Sequence, residues 1–200
     1  MSKNLLIVFA KNITEGKVKT RLAASIGNKR ALAVYHALFN ITEQESSAVK
    51  NADLRIYFSH EIMDKPWPKA KKFIQCQGNL GDKMKHAFAK GQADGYTNII
   101  GIGADLADLK AELIENAFEQ LKNHDFVFGP AEDGGYYLVG TSQPEMYIFD
   151  NKPWSTETLL KETLTEIASK KQSVAMLKML NDIDTIEDLR ASSLAGEFGT

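Results

Sequence analysis

Four cations crowd one short stretch of the chain: Lys11, Lys17, Lys19 and Arg21 fall within the eleven residues from Lys11 to Arg21. A polyphosphate calls for such a set. Each ammonium or guanidinium offsets anionic charge, and Gly16 lets backbone N–H groups approach the same anion. If residues 17–21 are extended, alternation places Lys17, Lys19 and Arg21 on one side, where they converge on a phosphate chain. Composition alone fits a solvated charged loop as well. Position favours the phosphate, because the cluster directly follows the apolar run Leu5 to Ala10. The segment is not a P-loop: no glycine precedes Gly16-Lys17 at the required spacing, and Val18 stands where Ser or Thr would hold magnesium. A Rossmann glycine pattern is also missing from this turn.

Carboxylates follow two further apolar runs. Asp105 ends Asn98-Ile99-Ile100-Gly101-Ile102-Gly103-Ala104-Asp105, and Glu132 and Asp133 precede Gly134 and Gly135 after Phe126 to Gly129. Ends of parallel strands are where α/β proteins collect ligands, and a carboxylate there suits a hard divalent ion such as Mg²⁺ or Mn²⁺. The competing reading makes Asp105 or Asp108 a cap for a helix beginning near Lys110. Asp182 and Asp184 flank Ile183, so in an extended segment they point the same way; Asp184 is the preferred metal ligand and Asp182 its solvated neighbour. Asp188 completes a Thr185-x-x-Asp188 capping box and reads as structural. Trp154 reads as a core or lid residue, with Ser155 or Thr156 capping the helix that follows. The four histidines show no metal-ligand spacing, and the single Cys76 excludes an intramolecular disulfide and a thiolate zinc cluster.

These side chains need strands and helices to position them. Leu5 to Ala10, Leu54 to Ser59, Ile99 to Gly103 and Phe126 to Gly129 read as buried strands, with 72–75 and 173–176 as weaker candidates. Helical spacing joins Ala31, Val34, Leu38 and Ile41; Leu80, Met84, Ala87 and Phe88; Ile114, Ala117, Phe118 and Leu121; and Leu160, Leu164, Ile167 and Ala168. Strand and helix alternating in this way imply a three-layer α/β/α, Rossmann-like domain with a mostly parallel sheet. Tyr136 to Gly140 breaks the alternation, as an antiparallel strand or an inserted hairpin.

Two hundred residues, 44% of them hydrophobic, suffice for one core, so a single domain is expected over residues 1–190, with a frayed tail at 191–200. A net charge of -2 and a pI near 6.1 leave no electrostatic excess for nucleic acid or an anionic bilayer. The apolar run at residues 5–10 is too short to span a membrane and lacks a secretory signature, so a cytoplasmic protein is expected.

Phe9-Ala10-Lys11, Gly16-Lys17-Val18-Lys19-Thr20-Arg21-Leu22, Gly103-Ala104-Asp105, the run Gly129 to Gly140 with its Asp133-Gly134-Gly135-Tyr136-Tyr137, and Asp182 to Leu189 together resemble one bacterial family. It is the DUF2064 group of nucleotide-diphospho-sugar transferase-like proteins. That family is similar to a branch of the GT-A fold, and its first loop to that of 2-phospholactate and molybdenum-cofactor guanylyltransferases. The resemblance implies a divalent metal on Asp105 and Asp184, with Lys19 and Arg21 serving catalysis. It implies nucleotide phosphates on Lys11, Gly16, Lys17, Lys19 and Arg21, with Asn79 and Gly81 near the nucleotide. The acceptor would face Asp133, Gly134 and Gly135. The implied partners are a nucleoside triphosphate or nucleotide-sugar and a small-molecule acceptor. Nucleotidyl transfer leads, glycosyl transfer is the alternative within the fold, and a non-catalytic nucleotide-binding module is the alternative from another class. This chain departs from the family's pattern in three places. Asn12 to Glu15 replace prolines, so the first loop is expected to be less rigid. Ala107 replaces a proline after Asp105, and Asn79 replaces an aspartate.

Overall fold

Strand Asn4–Ala10 (β1) is buried on both sides: Leu5 and Ile7 pack one way, Leu6, Val8 and Ala10 the other. A strand apolar on both faces requires cover on both, which helices laid over a sheet provide. The computed structural model, which describes residues 3–199, has that arrangement. Strands β2 (Asp53–Phe58), β3 (Lys71–Ile74), β4 (Asn98–Ile102), β5 (Phe126–Pro130), β6 (Tyr136–Thr141) and β7 (Val174–Met176) join β1 in the order β3-β2-β1-β4-β6-β5-β7. β1 pairs in parallel with β2 and β4, β2 with β3, and β5 with β7. β6 alone opposes its neighbours, β4 and β5. Of the two readings of Tyr136 to Gly140, the antiparallel strand within the sheet is the one realised.

Among the described residues seven helices follow in chain order: α1 (Thr20–Ile26), α2 (Asn28–Ala48), α3 (Leu80–Ala93), α4 (Ala111–Gln120), α5 (Leu159–Ser169), α6 (Ile186–Ala191) and α7 (Ala195–Phe198). Tyr35 and Phe39 of α2 and Ile114, Ala117 and Phe118 of α4 cover the face that carries Leu6, Val8, Ile100 and Val127. Met84, Ala87 and Phe88 of α3, Ile167 of α5 and a 3₁₀ turn at Tyr147–Phe149 cover the other, against Leu5, Ile7, Ile99 and Phe128. The three-layer reading of the sequence holds. A third apolar cluster ties α1 and α2 to the end of the chain, where Ile183, Leu189 and Leu194 meet Leu22, Val34 and Leu38. The segment expected to fray is therefore packed through α7; Leu194 is buried, and Arg30 donates to the Phe198 carbonyl at 3.1 Å. Among the described residues no helix is long and apolar enough to cross a membrane.

The edge strand β7 has only three residues, and a side chain reinforces its backbone pairing with β5. Asp125, just before β5, accepts from the Ser173 backbone N–H at 2.6 Å and its hydroxyl at 2.7 Å, and from the Gln143 amide at 2.5 Å. The Ser173 N–H and these other donors hold the Asp125 carboxyl below its ordinary pKa, so its contribution to stability is complete above about pH 4 and fades as the pH falls through the lower folded value. Asp125→Asn should accordingly lower the melting temperature at pH 7 by a few degrees, with a smaller deficit at pH 3, as followed by circular dichroism.

Candidate functional site

The loop leaving β1 is built inward from its first residues. Asn12 is buried: its side-chain oxygen accepts from Ser59 Oγ at 3.0 Å and from the His60 N–H at 2.8 Å, and its amide donates to the Glu61 carbonyl at 2.8 Å. The Tyr35 hydroxyl holds Lys11 by both backbone groups, at 3.0 and 3.1 Å. Hydrogen bonds from Asn12 thus anchor the start of the loop, while residues 14–17 are exposed.

The loop then turns, so the extended geometry that would align residues 17–21 is not adopted. Lys17 N–H bonds to the Thr14 carbonyl at 3.1 Å, Gly16 has φ 75°, and Lys19 takes left-handed φ 47°, ψ 47° before α1 begins at Thr20. Lys17, Lys19 and Arg21 therefore do not share one face. Lys11 and Lys17 are exposed, Val18 and Lys19 turn inward, and Arg21 lies on the first turn of α1. A left-handed non-glycine residue costs about 1–2 kcal/mol. Two charge-assisted bonds offset it, because Lys19 Nζ donates to Asp105 Oδ2 at 3.2 Å and to Asp184 Oδ1 at 3.0 Å. Arg21 reaches the other Asp184 oxygen at 3.6 Å.

The three segments meet because the chain after β7 runs along the end of the sheet. Leu177 N–H bonds to Phe128, Leu180 N–H to Pro130, and Asp182 bridges to Leu106 in antiparallel fashion. Ile183 N–H then reaches the Asp105 carbonyl, and its buried side chain leaves Asp182 and Asp184 on the side of Asp105. Asp188 shapes this acidic loop. It accepts from Asp184 and Thr185 N–H at 3.0 and 2.7 Å and from the Asn181 amide at 3.0 Å, completing the capping box of α6. Burial alone would raise its pKa, but the Thr185, Asp184 and Asn181 donors outweigh it and hold the carboxyl low.

Charges in the cluster act on one another. Burial by itself would depress Lys19, yet Asp105 and Asp184 outweigh it and keep the ammonium above its ordinary pKa. Asp182 has no such partner: burial, then the like charge of Asp105, pushes it up to about 8, with Asp133 and Asp184 adding to the effect and Lys19 opposing it. Asp182 is the residue the sequence reading undervalued. The sequence makes it a solvated neighbour, whereas it is half-buried and faces the charges of Asp105, Asp133 and Asp184. Only the alternation around Ile183 pointed there.

The remaining candidates lie around this centre. Asp133 accepts from the Gly135 N–H at 2.8 Å, and the turn of Gly134, at φ 84°, packs so closely on α5's entry that a Cβ would strike the Glu157 carbonyl. Asn79 caps α3 through a capping box with Asp82, so its side-chain oxygen is engaged at the helix end. Gly81 on the first turn of α3 admits the Trp154 indole, which would lie 2.5 Å from an added Cβ. Neither Asp105 nor Asp108 caps α4, whose first N–H is taken by Glu45 at 2.9 Å. Neither Ser155 nor Thr156 caps α5, which starts later, at Leu159 after Thr158. Cys76 is half-buried.

Could these residues hold a metal? Among the described residues, no three His, Cys, Asp or Glu side chains form a ready ligand set. Asp105 and Asp184 nevertheless aim carboxylate oxygens at one cationic point, now the Lys19 ammonium. One or two carboxylates completed by substrate phosphate and water is the usual way Mg²⁺ is bound, so the residues fit a substrate-assisted site.

The sequence matches, over residues 43–156, the model of DUF2064, described as an uncharacterized protein conserved in bacteria. A proposed nucleotide-diphospho-sugar transferase from Desulfovibrio desulfuricans G20 is 30% identical and superposes with a TM-score of 0.86, covering 98% of this chain and 94% of that one. The chain belongs to the DUF2064 family. Two further structures share the fold at 12% identity, which carries the architecture alone. A cytidylyltransferase from Leptospira borgpetersenii serovar Hardjo-bovis has a TM-score of 0.60, covering 95% of this chain and 84% of its own. Rv0371c from Mycobacterium tuberculosis H37Rv, solved with manganese, has a TM-score of 0.58, covering 98% of this chain and 100% of its own. No curated protein matches. The DUF2064 fold is thus that of the nucleotide-diphospho-sugar transferases, as the sequence resemblance implied.

The charge cluster makes opposite demands on two variants in chelator-containing buffer. Lys19→Met leaves the acids without their cation and should cost roughly 1.5–3 kcal/mol at pH 8 in urea unfolding. Asp182 keeps a proton that the unfolded chain releases near pH 4, so the native state loses stability between about pH 4 and 8. Asp182→Asn should flatten that slope and stabilise the protein at pH 8; an unchanged slope would remove Asp182 from this account.

Proposed function

We propose that this DUF2064 protein is a divalent-metal-dependent nucleotidyltransferase, moving a nucleoside monophosphate from a nucleoside triphosphate to a small phosphorylated or hydroxyl acceptor. The observation that carries the reading is the convergence of Asp105, Asp184, Lys19 and Arg21 at the end of the sheet. A triphosphate brings close to four negative charges at neutral pH, and such a ligand requires both a metal site and local cations. Mg²⁺ or Mn²⁺ would be held by Asp105 and Asp184 and would neutralise charge at the α-phosphate. Lys19 sets the two carboxylates toward each other, and Arg21, largely exposed beside Asp184, is free to meet the phosphates. Lys11, Lys17 and the Gly16 backbone line the approach from solvent, while the capped end of α3, with Asn79 and Gly81, borders the nucleotide. An acceptor oxygen forms the new bond to the α-phosphorus, the bond to the β-phosphate bridge breaks, and pyrophosphate departs with its electron pair. No covalent enzyme intermediate is needed. Asp133, Gly134 and Gly135 face the acceptor.

Glycosyl transfer from a nucleotide-sugar is the second reading, favoured by the name of the 30% identical relative. There Asp133 or Glu132 would take the proton of an acceptor hydroxyl, and a nucleoside diphosphate would leave.

Product analysis separates the two readings. With a panel of nucleoside triphosphates, Mg²⁺ or Mn²⁺ and candidate acceptors, pyrophosphate should accumulate; nucleoside diphosphate released from nucleotide-sugars would favour the second reading instead. Asp105→Asn should lower turnover by about a hundredfold or more while keeping the wild-type circular dichroism spectrum. Full activity in that variant would overturn the assignment of Asp105.

A further inference from the structure

The Lys19 ammonium stands at the point where the proposed function needs a divalent ion. It donates to Asp105 Oδ2 at 3.2 Å and to Asp184 Oδ1 at 3.0 Å, so one positive charge already joins the two carboxylates. Arg21 lies 3.6 Å from the other Asp184 oxygen. Asp184 therefore has no oxygen to share with an incoming ion unless a resident cation withdraws. Arg21 can withdraw into water, since its side chain is 77% exposed and its contact is longer than a good hydrogen bond, but the ammonium would still bridge the pair. Lys19 is the group that decides.

Charge and burial set opposite limits on Lys19. An ammonium and a doubly charged ion repel strongly at such range, so the same two oxygens do not hold both. Yet only 4% of the Lys19 side chain reaches solvent, against 35% for Asp105 and 49% for Asp184, so the ammonium has no easy exit to water. Its backbone is equally committed: the Lys19 carbonyl accepts from the Ala23 N–H at 2.8 Å at the start of α1, and the neighbouring Val18 is buried. An ammonium parted from its carboxylates while its stem stays buried is costly, because a buried charge without a counter-charge loses solvation with nothing in return. An anion arriving at the same place relieves that cost. A phosphate chain coming in between the exposed Lys17 and Arg21 is such an anion.

We infer that Lys19 is a placeholder for the divalent ion, holding Asp105 and Asp184 together in the free protein and yielding its place when ion and triphosphate arrive together. The inference rests on the proposed function and adds regulation to it. The displaced ammonium is received by a phosphate oxygen, so the free protein takes up the ion alone only weakly and binds ion and nucleotide cooperatively. Cooperativity of this kind is reciprocal, each ligand raising the affinity of the other by the same factor.

Mn²⁺ affinity, read from the electron paramagnetic resonance of the free ion, tests this without reference to turnover. Lys19→Met should bind Mn²⁺ alone about tenfold tighter than the wild type. Lys19→Arg, which keeps a cation between the carboxylates, should not. Lys17→Met, which removes an exposed charge from the same loop, should change the affinity by less than about twofold. In the wild type a saturating nonhydrolysable nucleoside triphosphate should raise the protein's Mn²⁺ affinity about tenfold, after allowance for Mn²⁺ bound by the nucleotide, and Lys19→Met should lose most of that enhancement. Circular dichroism checks that Lys19→Met is folded, and the wild type supplies an independent reading: the nitrogen NMR resonance of the Lys19 ammonium should move when Mg²⁺ and nucleotide are added together. Unchanged Mn²⁺ affinity in folded Lys19→Met, equal tightening in Lys17→Met, or a stationary Lys19 resonance would overturn the inference. Absence of Mn²⁺ binding by the wild type and every variant, with and without nucleotide, would instead sink the functional reading beneath it.

Discussion

The Lys19 ammonium, held between Asp105 and Asp184, is the contact on which the working end of this molecule depends. It joins residues 86 and 165 positions apart in sequence, and no other side chain touches both carboxylates among the described residues. The contact also explains an unfavourable backbone choice. Lys19 accepts a left-handed conformation because turning the chain there is what carries its side chain inward, past buried Val18, while Lys17 remains outside. Asp105 and Asp184 stay partly exposed, so water shares with Lys19 in offsetting their charge, whereas burial and the like charge of Asp105 raise the pKa of Asp182.

Everything around Lys19 serves to keep its partners in place. Asp188 links the capping of α6 to the position of Asp184, so the last helices and the acidic loop form one unit. Asn12 fastens the first loop to the end of β2, and Tyr35 fastens it to α2. A site composed of loops thus rests on hydrogen bonds to regular structure, which is how side chains on irregular backbone acquire a defined geometry.

Much of the fold was legible in the sequence because its signals are local. Strands β1, β2, β4 and β5 are apolar runs between polar residues, and helices α2 to α5 repeat at helical spacing. The capping box at Thr185 and Asp188 likewise announced α6. Helix α1 left no such mark. Its N-cap is a lysine that makes no side-chain cap bond and it spans seven residues, so nothing in the cationic run marks a helix start. The candidate site was legible as a set of residues but not as an arrangement. Alternation around Ile183 put Asp182 and Asp184 together, yet nothing local says that Asp182 is half-buried or that Lys19 turns inward while Lys17 stays exposed. Both follow from the path of the chain after β7, a long-range matter of sheet-edge hydrogen bonds.

The reversed direction of β6 has a consequence for divergence among relatives. Because it opposes β4 and β5, its opening residues Tyr136 and Tyr137 emerge beside the closing residues of β4. The hairpin at 131–135 thus leaves the sheet and returns to it at the same rim. Extra residues inserted there would enlarge the rim over Asp105 without shifting any strand pairing. Selection could retune which molecules are admitted by editing that one hairpin, while the scaffold beneath it stays constant.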